Sequence, residues 1–163
     1  IVDRLLERGD TIVLVGAPSD IPVVEAVMAA LSAAERSSRR LENIAGETSF
    51  GQLGAVLERC DLFVGNDSGP THLAMAVGTP AVAVFGPTSP VMYGPVGGGS
   101  VAVYKAVECS PCLIKGRFAQ DCRDFRCLRA VTVDDVWREV LRILRGEVRK
   151  GDAFQKGGTP RSA

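Results

Sequence analysis

The sequence predicts an α/β fold built on a doubly wound parallel sheet. Three apolar runs, at 11–15, 62–64 and 81–85, lack the polar alternation of half-exposed strands, which is typical of strands covered on both faces. Each run ends at a glycine or a polar turn, and helical patterns separate the runs. Strands that alternate with helices in this way indicate parallel pairing, and parallel α/β sheets bind ligands beyond the carboxyl ends of their strands.

Glycine, proline and capping residues in the sequence predict where the elements begin and end. A first helix ends at Gly9, and an early proline, Pro22, starts a second helix that stops at the polar cluster 37–40. Two pairs have the spacing of a capping box, Ser49 with Gln52 and Thr132 with Asp135. The remaining predicted elements are strands at 11–15, 41–45, 62–64, 81–85 and 101–104, and helices that start near 49, 70 and 132.

Length and charge limit the classes of protein to consider. The chain has 163 residues, 46% of them hydrophobic, which suffices for one domain with a full core. We predict that this domain spans 1–146 and that 147–163, charged and rich in glycine, form a disordered tail. With 19 basic and 19 acidic residues the formal net charge is zero, so no overall field attracts nucleic acid or an anionic membrane.

The start of the chain carries no recognisable targeting segment. No apolar run reaches the length of a membrane span, and the first nine residues are charged and amphipathic, unlike a signal peptide. These features favour a cytosolic location. The chain lacks an initiator methionine and begins within a helical pattern, so we expect it to be a fragment of a longer protein.

The segment 61–80 carries the main functional signal. A strand at 62–64 leads into a polar turn at 66–69, and Pro70 takes the first helical position, where a missing N–H costs nothing. Unpaired amides and the positive end of the helix dipole favour phosphate there. His72, the only histidine, lies one helical turn beyond Ser68. We therefore predict an anionic ligand; helix capping alone and a structurally satisfied core histidine are the alternatives.

The sequence lacks the motifs of several enzyme classes. Ser68 is not flanked by the glycines of a hydrolase nucleophile elbow, and neither the phosphate loop of ATPases nor a Gly-x-Gly-x-x-Gly fingerprint follows the first strand. Asp67 remains a candidate as a general base, as an acceptor for a sugar hydroxyl, or as an acceptor for amides of its own turn.

A second cluster consists of cysteines within the loop 109–127. Their spacing, C-x2-C followed by C-x9-C-x4-C, offers four thiolates to a structural zinc ion, and free thiols or a redox disulfide are the alternatives. We expect a structural role for this loop. The candidate zinc ligands are Cys109, Cys112, Cys122 and Cys127.

The run 64–90 closely resembles glycosyltransferase family 9, the ADP-heptose:lipopolysaccharide heptosyltransferases. The resemblance rests on an Asp-Ser-Gly turn, a histidine three residues beyond the glycine, a Gly-Thr-Pro turn and a Phe-Gly-Pro-Thr turn. It implies the GT-B architecture of two Rossmann-like domains, of which this chain looks like most of the C-terminal, donor-binding half. The basic segment that begins this half in the family, and the family's candidate base in the N-terminal domain, are not in these residues.

The resemblance also implies roles for individual residues. Asp67 would face the sugar-phosphate end of the donor, Ser68 and Gly69 would hold phosphate, and His72 would donate to the diphosphate. Two weaker placements put Thr48 against the adenine and Asp20 near the ribose hydroxyls. No catalytic residue is assigned in this chain.

The implied reaction transfers heptose from ADP-heptose to the lipopolysaccharide inner core with inversion and without a required metal. The acceptor is a lipid A-core molecule bound through the other domain, and peripheral association with the inner face of the inner membrane is expected, with no nucleic acid partner. We expect the chain alone to bind donor weakly and not to catalyse transfer. The alternatives are a GT-B-like nucleotide-sugar epimerase and a non-catalytic, zinc-stapled binding module.

Overall fold

A computed structural model of the chain describes residues 1–95, 99–114, 117–118, 122 and 124–148. The chain divides into two compact units, Ile1–Ala55 and Val56–Ala163. The predicted tail lies outside the described residues from 149 onward.

The N-terminal unit contains a pair of parallel strands and the helices that connect them. Ile12 of β1 pairs with Leu41 of β2, and the ladder continues to Leu14 and Asn43. Gly9, with a φ of 94°, ends the first helix, as predicted. The elements are α1 (Val2–Arg8), β1 (Ile12–Leu14), a 3-10 turn (Pro18–Asp20), α2 (Ile21–Ala30), α3 (Ala33–Arg36), β2 (Leu41–Asn43) and the start of α4 (Phe50–Glu58).

The C-terminal unit contains a three-stranded parallel sheet in the order β3-β4-β5 and a short antiparallel hairpin, β6-β7. Its elements are β3 (Phe63–Asn66), α5 (Gly69–Ala76), β4 (Ala81–Phe85), α6 (Pro90–Tyr93), β5 (Val101–Tyr104), β6 (Leu113–Ile114), β7 (Arg117–Phe118), α7 (Arg126–Arg129) and α8 (Val133–Leu144).

The core of this unit is centred on β4. Val82 and Ala83 point to opposite faces of the sheet and are both fully buried, so both faces are covered, as the unbroken apolar run predicts. Helices α5, α7 and α8 all contact β4, and α8 contributes Val140, which is also fully buried. The predicted α/β class with parallel pairing is thus confirmed.

The structure corrects one boundary that matters for the site. Helix α5 begins at Gly69, with Ser68 as its N-cap, so Pro70 takes the second helical position and not the first. The physical consequence is small because neither position requires an N–H donor within the helix. No helix in the described part of the chain combines the length and the apolar character that crossing a membrane requires.

Candidate functional site

The turn after β3 is held in one conformation by bonds to its own strand. Asp67 donates its backbone N–H to the carbonyl of Val84 over 3.0 Å, which extends the β3–β4 ladder by one residue. The carbonyl of Asn66 accepts from the hydroxyls of Thr71, at 2.5 Å, and Ser68, at 3.2 Å. Thr71 is only 1% exposed, and its role is not predicted from the sequence. A threonine in the first turn of a helix is the local signal that could have indicated it.

The start of α5 presents backbone donors to open space. Within the described residues, the N–H groups of Ser68 and Gly69 meet no acceptor, and Pro70 has no N–H. Ser68 and Gly69 are both exposed, and a Cβ placed on Gly69 would meet no heavy atom within 4 Å. This is the arrangement that binds anions at helix N-termini. The phosphate contacts assigned to Ser68 and Gly69 by resemblance remain predictions.

Asp67 and His72 lie side by side at this end of the sheet. His72 Nε2 is 3.2 Å from Asp67 Oδ1. The side chain of Asp67 is 12% exposed, whereas that of His72 is 47% exposed and faces solvent. The structure therefore brings together the four residues predicted for the turn, and it excludes a core position for the histidine.

The second glycine turn lies beside the first. Asn66 of β3 pairs with Val84 of β4, so the two strands end at the same edge of the sheet. The carbonyl of Gly86 accepts from the hydroxyl of Ser110 over 2.5 Å, and that of Pro87 accepts from the amides of Cys112 and Leu113 over 2.8 Å each. The start of the cysteine loop thus fixes the turn that follows β4.

The two weaker predictions, Asp20 and Thr48, both lie in the N-terminal unit. Asp20 Oδ2 accepts the backbone N–H of Ala17 over 2.9 Å, which closes the 3-10 turn after β1. Thr48 is half-buried and precedes the Ser49–Gln52 capping box, which forms as predicted. The contacts of Asp20 with ribose and of Thr48 with adenine remain predictions.

The cysteine loop contains two buried thiols, Cys112 and Cys127, and two half-buried ones, Cys109 and Cys122, all of them free. Burial, assisted by the three neighbouring thiols, raises the pKa of Cys112. Among the described residues, no group of three or more His, Cys, Asp or Glu side chains is arranged to hold a metal ion. The zinc site stays a prediction from spacing alone, and no step of the chemistry below depends on it.

Comparison with known proteins places these features in a family. Residues 1–122 match the profile of glycosyltransferase family 9 (heptosyltransferase). Lipopolysaccharide heptosyltransferase 3 of Escherichia coli (strain K12) is 36% identical over 97 residues, which are 58% of this chain and 27% of that protein. Lipopolysaccharide heptosyltransferase 2 of the same strain is 37% identical over 87 residues, 53% of this chain and 24% of that protein.

A solved structure extends the match to most of the chain. The structure of E. coli ADP-heptose LPS heptosyltransferase II aligns with a TM-score of 0.73 and 27% identity, over 90% of this chain and 40% of that one. The fold is accordingly part of the GT-B architecture, as expected. This chain spans about a quarter of the length of the curated relatives, 27% and 24% for the two named above. The extent of the profile match and the agreement in fold show that the chain belongs to glycosyltransferase family 9.

Proposed function

We propose that this chain is the donor-binding part of a heptosyltransferase that moves heptose from ADP-heptose to the lipopolysaccharide inner core. The observation that carries the proposal is the pair of unpaired amides at Ser68 and Gly69, exposed at the carboxyl end of β3 with His72 in the same turn and helix start. An ADP-sugar would place its diphosphate on these amides. The names of the similar heptosyltransferases support the choice of sugar and acceptor.

In the proposed reaction an acceptor hydroxyl attacks the anomeric carbon from the face opposite the diphosphate. The bond between that carbon and the phosphate oxygen breaks, ADP leaves, and the configuration inverts. Negative charge grows on the leaving phosphate, where the unpaired amides of Ser68 and Gly69 would receive it; the Ser68 hydroxyl, which donates to the Asn66 carbonyl, would have to turn away from that carbonyl to join them. No residue of this chain is proposed as the base that accepts the hydroxyl proton.

Two further donor contacts are proposed for the N-terminal unit by itself. Thr48 would lie against adenine, and Asp20, whose Oδ2 is engaged by the amide of Ala17, would accept ribose hydroxyls through Oδ1. We further propose that the lipid A-core acceptor reaches the enzyme at the inner face of the inner membrane through parts of the protein outside this chain. The chain alone then binds donor without catalysing transfer.

Gly69 allows a test that separates charge from folding. Because space around its Cβ is open, Gly69→Asp should fold, and an acidic residue in the first turn favours a helix. The new carboxylate would repel a diphosphate at the same position. In calorimetric titration with ADP-heptose, we expect Gly69→Asp to weaken binding at least about tenfold, or ~1.4 kcal/mol, and more than the matched control Gly69→Ala.

Titrations with ADP and with UDP-sugars complete the comparison. Binding of ADP-heptose that Gly69→Asp leaves unchanged would contradict the proposed phosphate position. Preference for a UDP-sugar would contradict the assignment of ADP-heptose as the donor. Stoichiometric zinc without nucleotide binding would favour the binding module, whereas epimerisation is disfavoured because Thr71-His72-Leu73 stands where an acidic pair is expected.

A further inference from the structure

The pairing of Asp67 with His72 places a carboxylate at the edge of the proposed phosphate site. Asp67 directly precedes Ser68, and its Oδ1 lies 3.2 Å from His72 Nε2. Helix α5 packs on β3 and β4, and none of these three elements carries an ionisable side chain other than His72. Asp67, in the turn between β3 and α5, is a charged side chain in direct contact with His72. A diphosphate seated on the adjacent amides would bring like charge close to this carboxylate.

The protonation state of the imidazole ring determines whether His72 can donate to both the Asp67 carboxylate and a ligand phosphate. A neutral ring has one N–H donor and one acceptor nitrogen, and only the imidazolium donates from both nitrogens. Asp67 accepts from Nε2, so in the neutral ring Nδ1 would present a lone pair to any phosphate oxygen it meets. A proton on Nδ1 turns that repulsion into a charge-assisted hydrogen bond and balances the carboxylate.

We propose that binding of a nucleotide diphosphate at this site is coupled to uptake of one proton by His72, with Asp67 as the residue that positions the ring. This inference rests on the proposed function. The proton comes from solvent and adds to Nδ1, no covalent bond breaks, and the resulting imidazolium bridges the Asp67 carboxylate and the ligand phosphate. Donor affinity then rises as the pH falls.

The single histidine makes the test direct, because its ring gives the only imidazole signals in a nitrogen-correlated NMR spectrum of the full chain. ADP-heptose is the suitable probe, since its diphosphate, esterified at both ends, does not titrate near neutral pH. At a fixed pH, we expect saturation with ADP-heptose to raise the imidazolium fraction of the ring. Calorimetry in buffers of different ionisation enthalpy should report about one proton taken up per ligand bound.

Two variants separate positioning from folding. His72→Gln keeps a side-chain donor but cannot ionise. The affinity of this variant for ADP-heptose should therefore not depend on pH through this position, whereas the affinity of the wild type should fall as the pH rises. Asp67→Asn keeps the shape of the side chain and removes its charge, so proton uptake should fall well below one proton per ligand bound. Circular dichroism should show that the helix content of the variant is unchanged. A merely structural role for Asp67 would leave the proton count unchanged.

The outcomes are distinct for the two proposals. If ADP-heptose binds and the ring stays neutral, the proton-coupling inference is wrong and the donor-binding function stands. Proton uptake that Asp67→Asn leaves intact refutes the positioning role. If a folded wild-type chain binds neither ADP-heptose nor ADP, the proposed donor-binding function of this chain fails, and the inference fails with it.

Discussion

Gly86 occupies a position with no room for a side chain. A Cβ at this residue would lie 2.5 Å from both Cγ and Cδ2 of Leu128 and 3.4 Å from Cys127 Sγ. Because Cγ is the branch point of the leucine side chain and α7 packs against β4, the neighbour cannot rotate aside cheaply. The glycine of the second turn is thus required by close packing, which is a different reason from the open approach at Gly69.

We predict that Gly86→Ala lowers the free energy of unfolding by about 1–3 kcal/mol, because it overpacks the contact with α7. Chemical denaturation monitored by circular dichroism measures the change. Gly51→Ala is the control: Gly51 lies inside α4, a Cβ there meets nothing within 4 Å, and the substitution should stabilise the chain by about 0.4–1 kcal/mol. Equal effects of the two substitutions would contradict the packing argument.

At the scale of elements, the start of α8 is tied to the end of β5. Thr132 and Asp135 form the predicted capping box, in which Asp135 Oδ2 accepts from the Thr132 amide at 3.0 Å and hydroxyl at 2.7 Å. Lys105 Nζ, just after β5, donates to Asp135 Oδ1 over 2.8 Å. The bond from Lys105, followed by the two from Thr132, holds the pKa of Asp135 well below its ordinary value.

Asp135→Asn should therefore destabilise the chain at neutral pH, by about 1–3 kcal/mol for lost bonds to a charged group. Since the folded-state pKa is depressed, the contribution is present above the unfolded value near 3.9 and is lost as the pH falls through the folded value. The difference in unfolding free energy between wild type and variant should be constant above about pH 5 and shrink below about pH 4. The exposed Asp61, substituted as Asp61→Asn, supplies a control with little effect.

The elements predicted correctly are those whose signals are local. Both capping boxes and the buried strand 81–85 were identified because side-chain spacing and an unbroken apolar run determine them directly. The hairpin β6-β7 and the short helices α3, α6 and α7 were not predicted, since runs of two to four residues are too short to show periodicity. The Asp67–His72 contact was also missed, because spacing alone does not fix side-chain orientation.

At the scale of the whole molecule, composition predicts less than local pattern does. Length and apolar content predict one domain over 1–146, and within it the structure distinguishes two compact units whose strands form separate sheets. The boundary falls within α4, where the residues on either side continue the same helix. The single-domain assignment remains a prediction, since composition sums over the chain and contains no information about which strands pair.

The overall charge balance does predict a measurable property. With a formal net charge of zero and a sequence pI of about 6.8, electrostatic repulsion between copies of the chain is weakest near that pH. Precipitation by polyethylene glycol across a pH series should show a solubility minimum near pH 6.8, and Gly69→Asp, with one added negative charge, should move the minimum downward. A minimum far from this value would mean that ionisation in the folded chain differs from that of isolated side chains.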